Sequence, residues 1–164
     1  MKKDSHCSYC GAAYLSDVWP RHCDGCGQTT WRNPTPVAVV LAPVDGGILL
    51  VRRNIEPQRG KLALPGGYVD YGETWQQACA RELFEETGVR IDADEVSLLD
   101  CHSSVERGVL LLFGLAQPMR GQDLPPFVLS GETSEIVIVK QPVEVAFGFH
   151  QLVLNRYFEL RSCP

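Results

Sequence analysis

The chain lacks most of the marks that would send it to a membrane, to a nucleic-acid backbone or into the disordered class. Its opening residues, MKKDSHC, contain no apolar core of a signal peptide, and its longest apolar runs, such as Val109 to Phe113, are far too short to span a bilayer. A cytoplasmic protein with no membrane partner is therefore expected. Basic charge is in short supply: 15 Lys and Arg stand against 20 Asp and Glu, for a formal net charge of −5. That balance argues against a non-specific grip on a polyanion, while a small anionic molecule held through cations remains compatible with it. There is no internal repeat and no low-complexity segment. What is present, 45% apolar and 21% charged residues over 164 positions, suffices for one sizeable core and a small appendage.

Cysteine is the exception to this scarcity. Seven are present, an odd count, and four fall in two pairs, Cys7-x2-Cys10 and Cys23-x2-Cys26. Without a secretion signal, this spacing favours a zinc site over a disulfide framework. Four thiolates complete a tetrahedron and leave no open position, so a Zn²⁺ there is expected to be structural. Gly11 and Gly27 directly follow the second cysteine of each pair, as a tight ligand-bearing turn requires. His6 and His22 read as solvated neighbours of the ligands, and Cys79, Cys101 and Cys163 as small buried or tail residues. Residues 1–34 have too few apolar side chains to fold without metal, and Trp19 and Trp31 are expected to pack over the site. The stretch WRNPTP, Trp31 to Pro36, forces an extended chain and divides a zinc ribbon, 1–34, from a larger domain, 35–164.

The most informative stretch is Gly67 to Val89, GYVDYGETWQQACARELFEETGV. Thr74 followed by Gln77 forms a capping box, and Gly88 stands where a helix would end in the left-handed conformation, so a helix is predicted over Thr74 to Thr87. At about 100° per residue, Glu82, Glu85 and Glu86 fall within roughly 100° of one another. Cys79, Ala80, Leu83 and Phe84 occupy the adjoining sector and are expected to face a core. Carboxylates spaced i, i+3, i+4 repel one another, and a hard divalent cation, Mg²⁺ or Mn²⁺, would relieve that repulsion.

Around this segment the chain alternates between strand and helix patterns. Val37 to Val44 and Ile48 to Arg53, joined at Asp45-Gly46-Gly47, read as a hairpin of a central sheet. Arg52 and Arg53 close it on opposite faces, so one of them at most points at a pocket, for surface or phosphate-binding use. Glu95 to Val105 and Gly108 to Ala116 read as two strands joined at Glu106-Arg107-Gly108. A Pro- and Gly-rich loop, Gln117 to Gly131, precedes a short strand from Ile136 to Lys140. Gly148 to Leu160 carries Phe149, Leu152, Val153, Tyr157 and Leu160 at helical spacing.

Gly67, Glu73, Arg81, Glu82, Leu83, Glu85, Glu86, Gly88 and Val89 fill every specified place of the pattern G-x5-E-x7-R-E-U-x-E-E-x-G-U, with U aliphatic, and by this the chain resembles the Nudix hydrolases. The resemblance implies an α/β/α sandwich around a mixed β-sheet, here preceded by the zinc ribbon. It implies hydrolysis of a pyrophosphate linkage by water, with Glu82, Glu85, Glu86 and the carbonyl of Gly67 as Mg²⁺ or Mn²⁺ ligands and Arg81 orienting the segment through Glu73. A further carboxylate is expected as general base, and Glu132 is preferred over Glu135. Tyr68, Tyr71 and Phe113 are candidate stacking surfaces, and Arg52 and Arg53 candidate phosphate contacts. The ribbon-plus-domain layout is similar to the NADH and FAD pyrophosphatase group. The SQPWPFP motif of the NADH enzymes is absent from Cys101 to Gly108, and RNIEPQRGKLALPGGYVDYGE, Arg53 to Glu73, is similar to the FAD-pyrophosphatase-like group, so a dinucleotide such as FAD is the first substrate the resemblance implies. The alternatives are NADH or ADP-ribose hydrolysis, removal of a dinucleotide cap from RNA, and a nucleotide-sensing regulator without catalysis. The expected partner is a small nucleotide rather than nucleic acid, with a homodimer left open.

Overall fold

The computed structural model describes residues 4–162, so Cys163 lies outside the described residues. The chain divides into two compact units between Pro34 and Thr35. In the first unit, two like turns are closed by backbone bonds, Gly11 N–H to Cys7 O (2.9 Å) and Gly27 N–H to Cys23 O (2.8 Å). Gly11 and Gly27 take φ of 76° and 69°, which side chains rarely adopt, and this is why glycine follows each cysteine pair. A two-residue ladder, β1 (Arg21–His22) against β2 (Thr29–Thr30), completes the unit. The expectation that Trp31 covers the cysteines is corrected: it is 67% exposed. Trp19 instead carries the Arg21 guanidinium, 4.5 Å from its ring centre.

The second unit holds β3 (Thr35–Leu41), β4 (Pro43–Val44), β5 (Gly47–Arg53), β6 (Leu62–Ala63), β7 (Gly66–Tyr68), α1 (Trp75–Thr87), β8 (Ser97–Ser104), β9 (Val109–Leu115), β10 (Thr133–Val139) and α2 (Gly148–Ser162). One sheet runs β7-β3-β9-β8 and is mixed, because β3 and β9 are parallel. The other runs β10-β5-β4, with β6 also paired to β5. The expected hairpin between Val37–Val44 and Ile48–Arg53 is thus corrected, since only Pro43 and Val44 pair with β5. The chain changes partners within a single apolar run. Leu41 O accepts from Ala116 N–H in the first sheet, and Ala42 O accepts from Leu49 N–H in the second.

Alternation along the strands explains the layering. Ala38, Val40 and Ala42 with Leu49 and Val51 pack in a cluster with Ala78, Cys79 and Leu83 of α1. Val39, Leu41, Ile48 and Leu50 pack in another with Val153, Leu154, Tyr157 and Phe158 of α2. Strands buried on both faces read as continuous apolar runs, and a helix lies on each side. The two helical faces differ slightly from expectation. On α1 the buried side includes Ala78 and Thr87, while Phe84 is 39% exposed with Arg90 lying over its ring. On α2, Leu154 and Phe158 are buried, whereas Leu152 and Leu160 are exposed.

Candidate active site

Helix α1 begins as the sequence dictates. Thr74 Oγ1 accepts from Gln77 N–H (3.2 Å), and Gln77 Oε1 accepts from Thr74 N–H (2.8 Å). Gly88 ends the helix at φ 77° and donates to Phe84 O at 2.7 Å. This fixes the phase of the three glutamates and of Arg81 beside them. The guanidinium is a hub: it donates to both Glu73 oxygens (2.7 and 3.1 Å), to Glu82 Oε1 (2.7 Å), to Glu85 Oε2 (3.3 Å) and to Tyr68 O (2.9 Å). Hydrogen bonds from Arg81 hold the Glu73 carboxyl below its ordinary range. A lysine could not make this set, because it lacks the planar fork.

The carboxylates are graded in burial. Glu85 is 55% exposed and Glu82 13%, and Glu86 is 8% exposed. Burial pushes the Glu86 carboxyl up to about 8, with the Glu82 and Glu132 charges adding to the shift against the Gly66 N–H that it accepts at 3.2 Å. Burial likewise raises Glu82, opposed by Arg81 and reinforced by Glu85 and Glu132. Two glycines admit these groups. At Gly66 (φ 155°) a Cβ would strike the β3 backbone, and at Gly67 it would strike the Glu82 carboxylate. The requirement for glycine here is thus steric: the backbone must touch the carboxylate, and any side chain would block that approach.

Glu132 is brought into the same field by the loop before β10. Asn54 N–H donates to Glu132 O (2.7 Å), and Thr133 N–H donates to Ser130 Oγ (3.0 Å), which fastens the loop to the end of β5. Glu135 is engaged elsewhere, accepting from Arg52 Nε at 2.6 Å on the opposite partner strand. Arg52 is accordingly not among the residues around the cavity, whereas Arg53 is. That cavity, about 750 Å³, is also bounded by Gly66, Gly67, Tyr68 and Glu86, and on its other side by Arg107, Phe147 and His150. Phe113 is fully buried and does not reach the cavity, which corrects its assignment as a stacking surface. Tyr68 borders it, and Tyr71 projects wholly into solvent. Arg107, Phe147 and His150 belong to no motif, and only the Arg-Gly turn at a hairpin tip hints at one of them.

The donor sets suit two kinds of ion. Buried carboxylates crowded so that their protons are held tightly, with one guanidinium among them, match a hard divalent cation. In the first unit the Sγ atoms of Cys7, Cys10, Cys23 and Cys26 lie within 4.8 Å of one another, and none of the six described cysteines is in a disulfide. The Gln28 N–H lowers Cys26, but burial and the sulfurs of Cys10, Cys23 and Cys7 prevail and push it up to about 12. Four sulfurs this close match the tetrahedral donor set of a Zn²⁺ ion. His6 and His22 are not part of the cluster. Cys79 is buried and Cys101 exposed. Among the described residues no helix is long and apolar enough to cross a membrane.

The NUDIX domain family model matches residues 32–148. Among curated relatives, an NAD-capped RNA hydrolase NudC of Edwardsiella ictaluri is 36% identical over 87 residues, 52% of this chain and 34% of its own length. An ADP-ribose pyrophosphatase of Methanocaldococcus jannaschii is 46% identical over 63 residues, 38% of this chain and 36% of its own. The matched stretch spans about a third of the length of these two relatives. Among solved structures, a NUDIX hydrolase from Nitrosomonas europaea superposes with a TM-score of 0.76 at 25% identity, covering 96% of this chain and 92% of that one.

Proposed function

The chain belongs to the Nudix family, and from that premise we propose that it hydrolyses the pyrophosphate bond of a nucleoside diphosphate joined to a second moiety. The observation that carries this reading is the glutamate cluster of α1: Arg81 bonds Glu82 and Glu85, the buried Glu86 borders the cavity, and Glu132 lies near enough to raise both Glu82 and Glu86. Glu82, Glu85, Glu86 and the Gly67 carbonyl would hold Mg²⁺ or Mn²⁺. Such an ion, when bound, lowers the pKa of water and offsets phosphate charge.

The chain's own residues supply the rest. Arg81 fixes the Glu82 and Glu85 rotamers, so little reorganisation is needed on binding. Glu132, exposed and close enough to perturb both buried glutamates, takes the proton from the attacking water. The water oxygen joins one phosphorus, the bridging P–O bond breaks, and the bridging oxygen leaves on the other phosphoryl group. The products are a nucleoside monophosphate and a phosphorylated partner. The four-cysteine site holds structural Zn²⁺, and the free thiols suit a reducing, cytoplasmic setting.

FAD is the first substrate to test, on the likeness of Arg53 to Glu73 to the FAD-pyrophosphatase group. NAD, free or as an RNA cap, is the second, favoured by relatives named NAD-capped RNA hydrolases. Purified protein with Mg²⁺ or Mn²⁺ is offered FAD, NADH, NAD, ADP-ribose, CoA and NAD-capped RNA, with products resolved by chromatography. Metal-dependent release of a nucleoside monophosphate is expected. Binding of these compounds with no cleavage of any would overturn hydrolysis in favour of a nucleotide-sensing module.

A further inference from the structure

The cavity that Glu86 borders is also lined by two arginines, Arg53 and Arg107, with Glu106 beside Arg107 in the chain. Arg53, the last residue of β5, and Arg107, at the tip of the β8–β9 hairpin, both place their guanidinium carbons over the Phe147 ring, 5.1 and 5.3 Å from its centre. The Arg53 guanidinium donates to the carbonyls of Pro57 (2.9 Å) and Ile55 (3.4 Å) and lies near enough to Glu86 to oppose the rise of its pKa, and among the described residues neither arginine is in an ion pair with a carboxylate. The first turn of α2, Gly148 to His150, borders the same space. The leading N–H groups of a helix have no intrahelical partners and form its positive end. His150 is buried with an unpartnered Nδ1, set edge-on to Phe113 and Phe147. Burial, reinforced by the two arginines, pushes it down to about 3, so it stays neutral and leaves the arginines as the cationic groups there.

Such an arrangement has donors free to meet an anion. Two guanidiniums from separate elements, gathered on one aromatic ring and lacking carboxylate partners, match the oxygens of a phosphate group. We propose that Arg107 and Arg53, with the amino end of α2, form an anion seat for a phosphoryl group of the substrate that departs as a phosphomonoester. The seat rests on the pyrophosphatase reading for its place in turnover, but not for its ability to bind a phosphate.

The test is calorimetric titration of the full chain, without added divalent cation, using AMP as the phosphomonoester and adenosine as the uncharged control. The wild type binds AMP, inorganic phosphate competes, and adenosine binds at least about tenfold more weakly. Arg107→Ala weakens AMP about tenfold or more and leaves adenosine unchanged, and Arg107→Glu weakens it further. Because Arg107 is exposed in a turn, both variants keep the wild-type melting temperature. In turnover, Arg107→Ala raises KM more than it lowers kcat. The seat is refuted if the wild type does not bind AMP, if adenosine binds as well as AMP, or if Arg107→Ala binds AMP as the wild type does. The two readings separate cleanly. Arg107-dependent AMP binding without metal-dependent hydrolysis removes the enzyme and keeps the seat, and unaltered AMP binding beside normal hydrolysis does the reverse.

Discussion

Replacing Glu86 by Gln should make the cation-free protein more stable while removing most of its activity. The side chain is 8% exposed, and burial moves its pKa from 4.5 to about 8. Between those values the folded chain holds a proton that the unfolded chain has released, so stability falls as pH rises through that window and levels off above it. At about 1.4 kcal/mol per pKa unit, the cost of folding around this carboxyl is roughly 3 kcal/mol at pH 7 and at most about 5 kcal/mol above pH 8. Glutamine keeps an oxygen for the Gly66 N–H but brings an amide N–H₂ group that needs partners, which offsets about 1–2 kcal/mol of that. A net gain of about 1–3 kcal/mol at pH 8 is expected, shrinking to nothing or reversing near pH 5. Urea unfolding of both proteins, dialysed free of Mg²⁺ and Mn²⁺, measures it at the two pH values. Added Mg²⁺ should stabilise the wild type more than the variant, while turnover of Glu86→Gln falls by roughly a hundredfold or more. If the variant is the less stable protein at pH 8, or if the difference is the same at pH 5 and pH 8, the argument from burial is wrong.

Other outcomes follow from the same geometry. Glu132→Gln should lower kcat by at least about a hundredfold at neutral pH, while Glu135→Gln, which only frees Arg52, should cost far less; single-turnover rates in the reverse order would reassign the base. Gly67→Ala drives a methyl group into the Glu82 carboxylate, so activity should collapse while the melting temperature stays within a few degrees of wild type, and retained activity would show that the contact is dispensable. Cys23→Ser should release about one zinc per chain by elemental analysis and expose residues 4–34 to proteolysis, leaving residues 35–162 resistant; wild-type protein isolated without zinc would end that reading.

Helix α1 was readable in the sequence because everything that defines it is local. Thr74, Gln77 and Gly88 set its ends, and its period then puts the glutamates on one side. The partner change between Leu41 and Ala42 was not readable, since hydrophobic alternation continues straight through it and only distant Ala116 and Leu49 reveal the switch. On α2 the helical spacing picks out the buried Val153 and Tyr157, but it cannot rank Leu152 against Leu154, which are equally apolar, because the strands decide which is covered. Within the site, the residues of the G-x5-E-x7-R-E-U-x-E-E-x-G-U pattern stand in one continuous stretch, on β7, α1 and the turns that flank the helix. Phe147 and His150 stand together at the start of α2, and Arg107 comes from a distant hairpin that nothing in the spacing could link to them.

The division of labour along β3 and β5 bears on how such a protein can change over generations. Neighbouring residues of one strand answer to different helices: Val40 and Leu49 support the helix that carries the glutamates, and Leu41 and Leu50 support the one whose start borders the far side of the cavity. A change of side-chain volume at one parity is felt first by the helix packed on that side. The scaffold therefore gives the two helices separate routes of change within the same few residues.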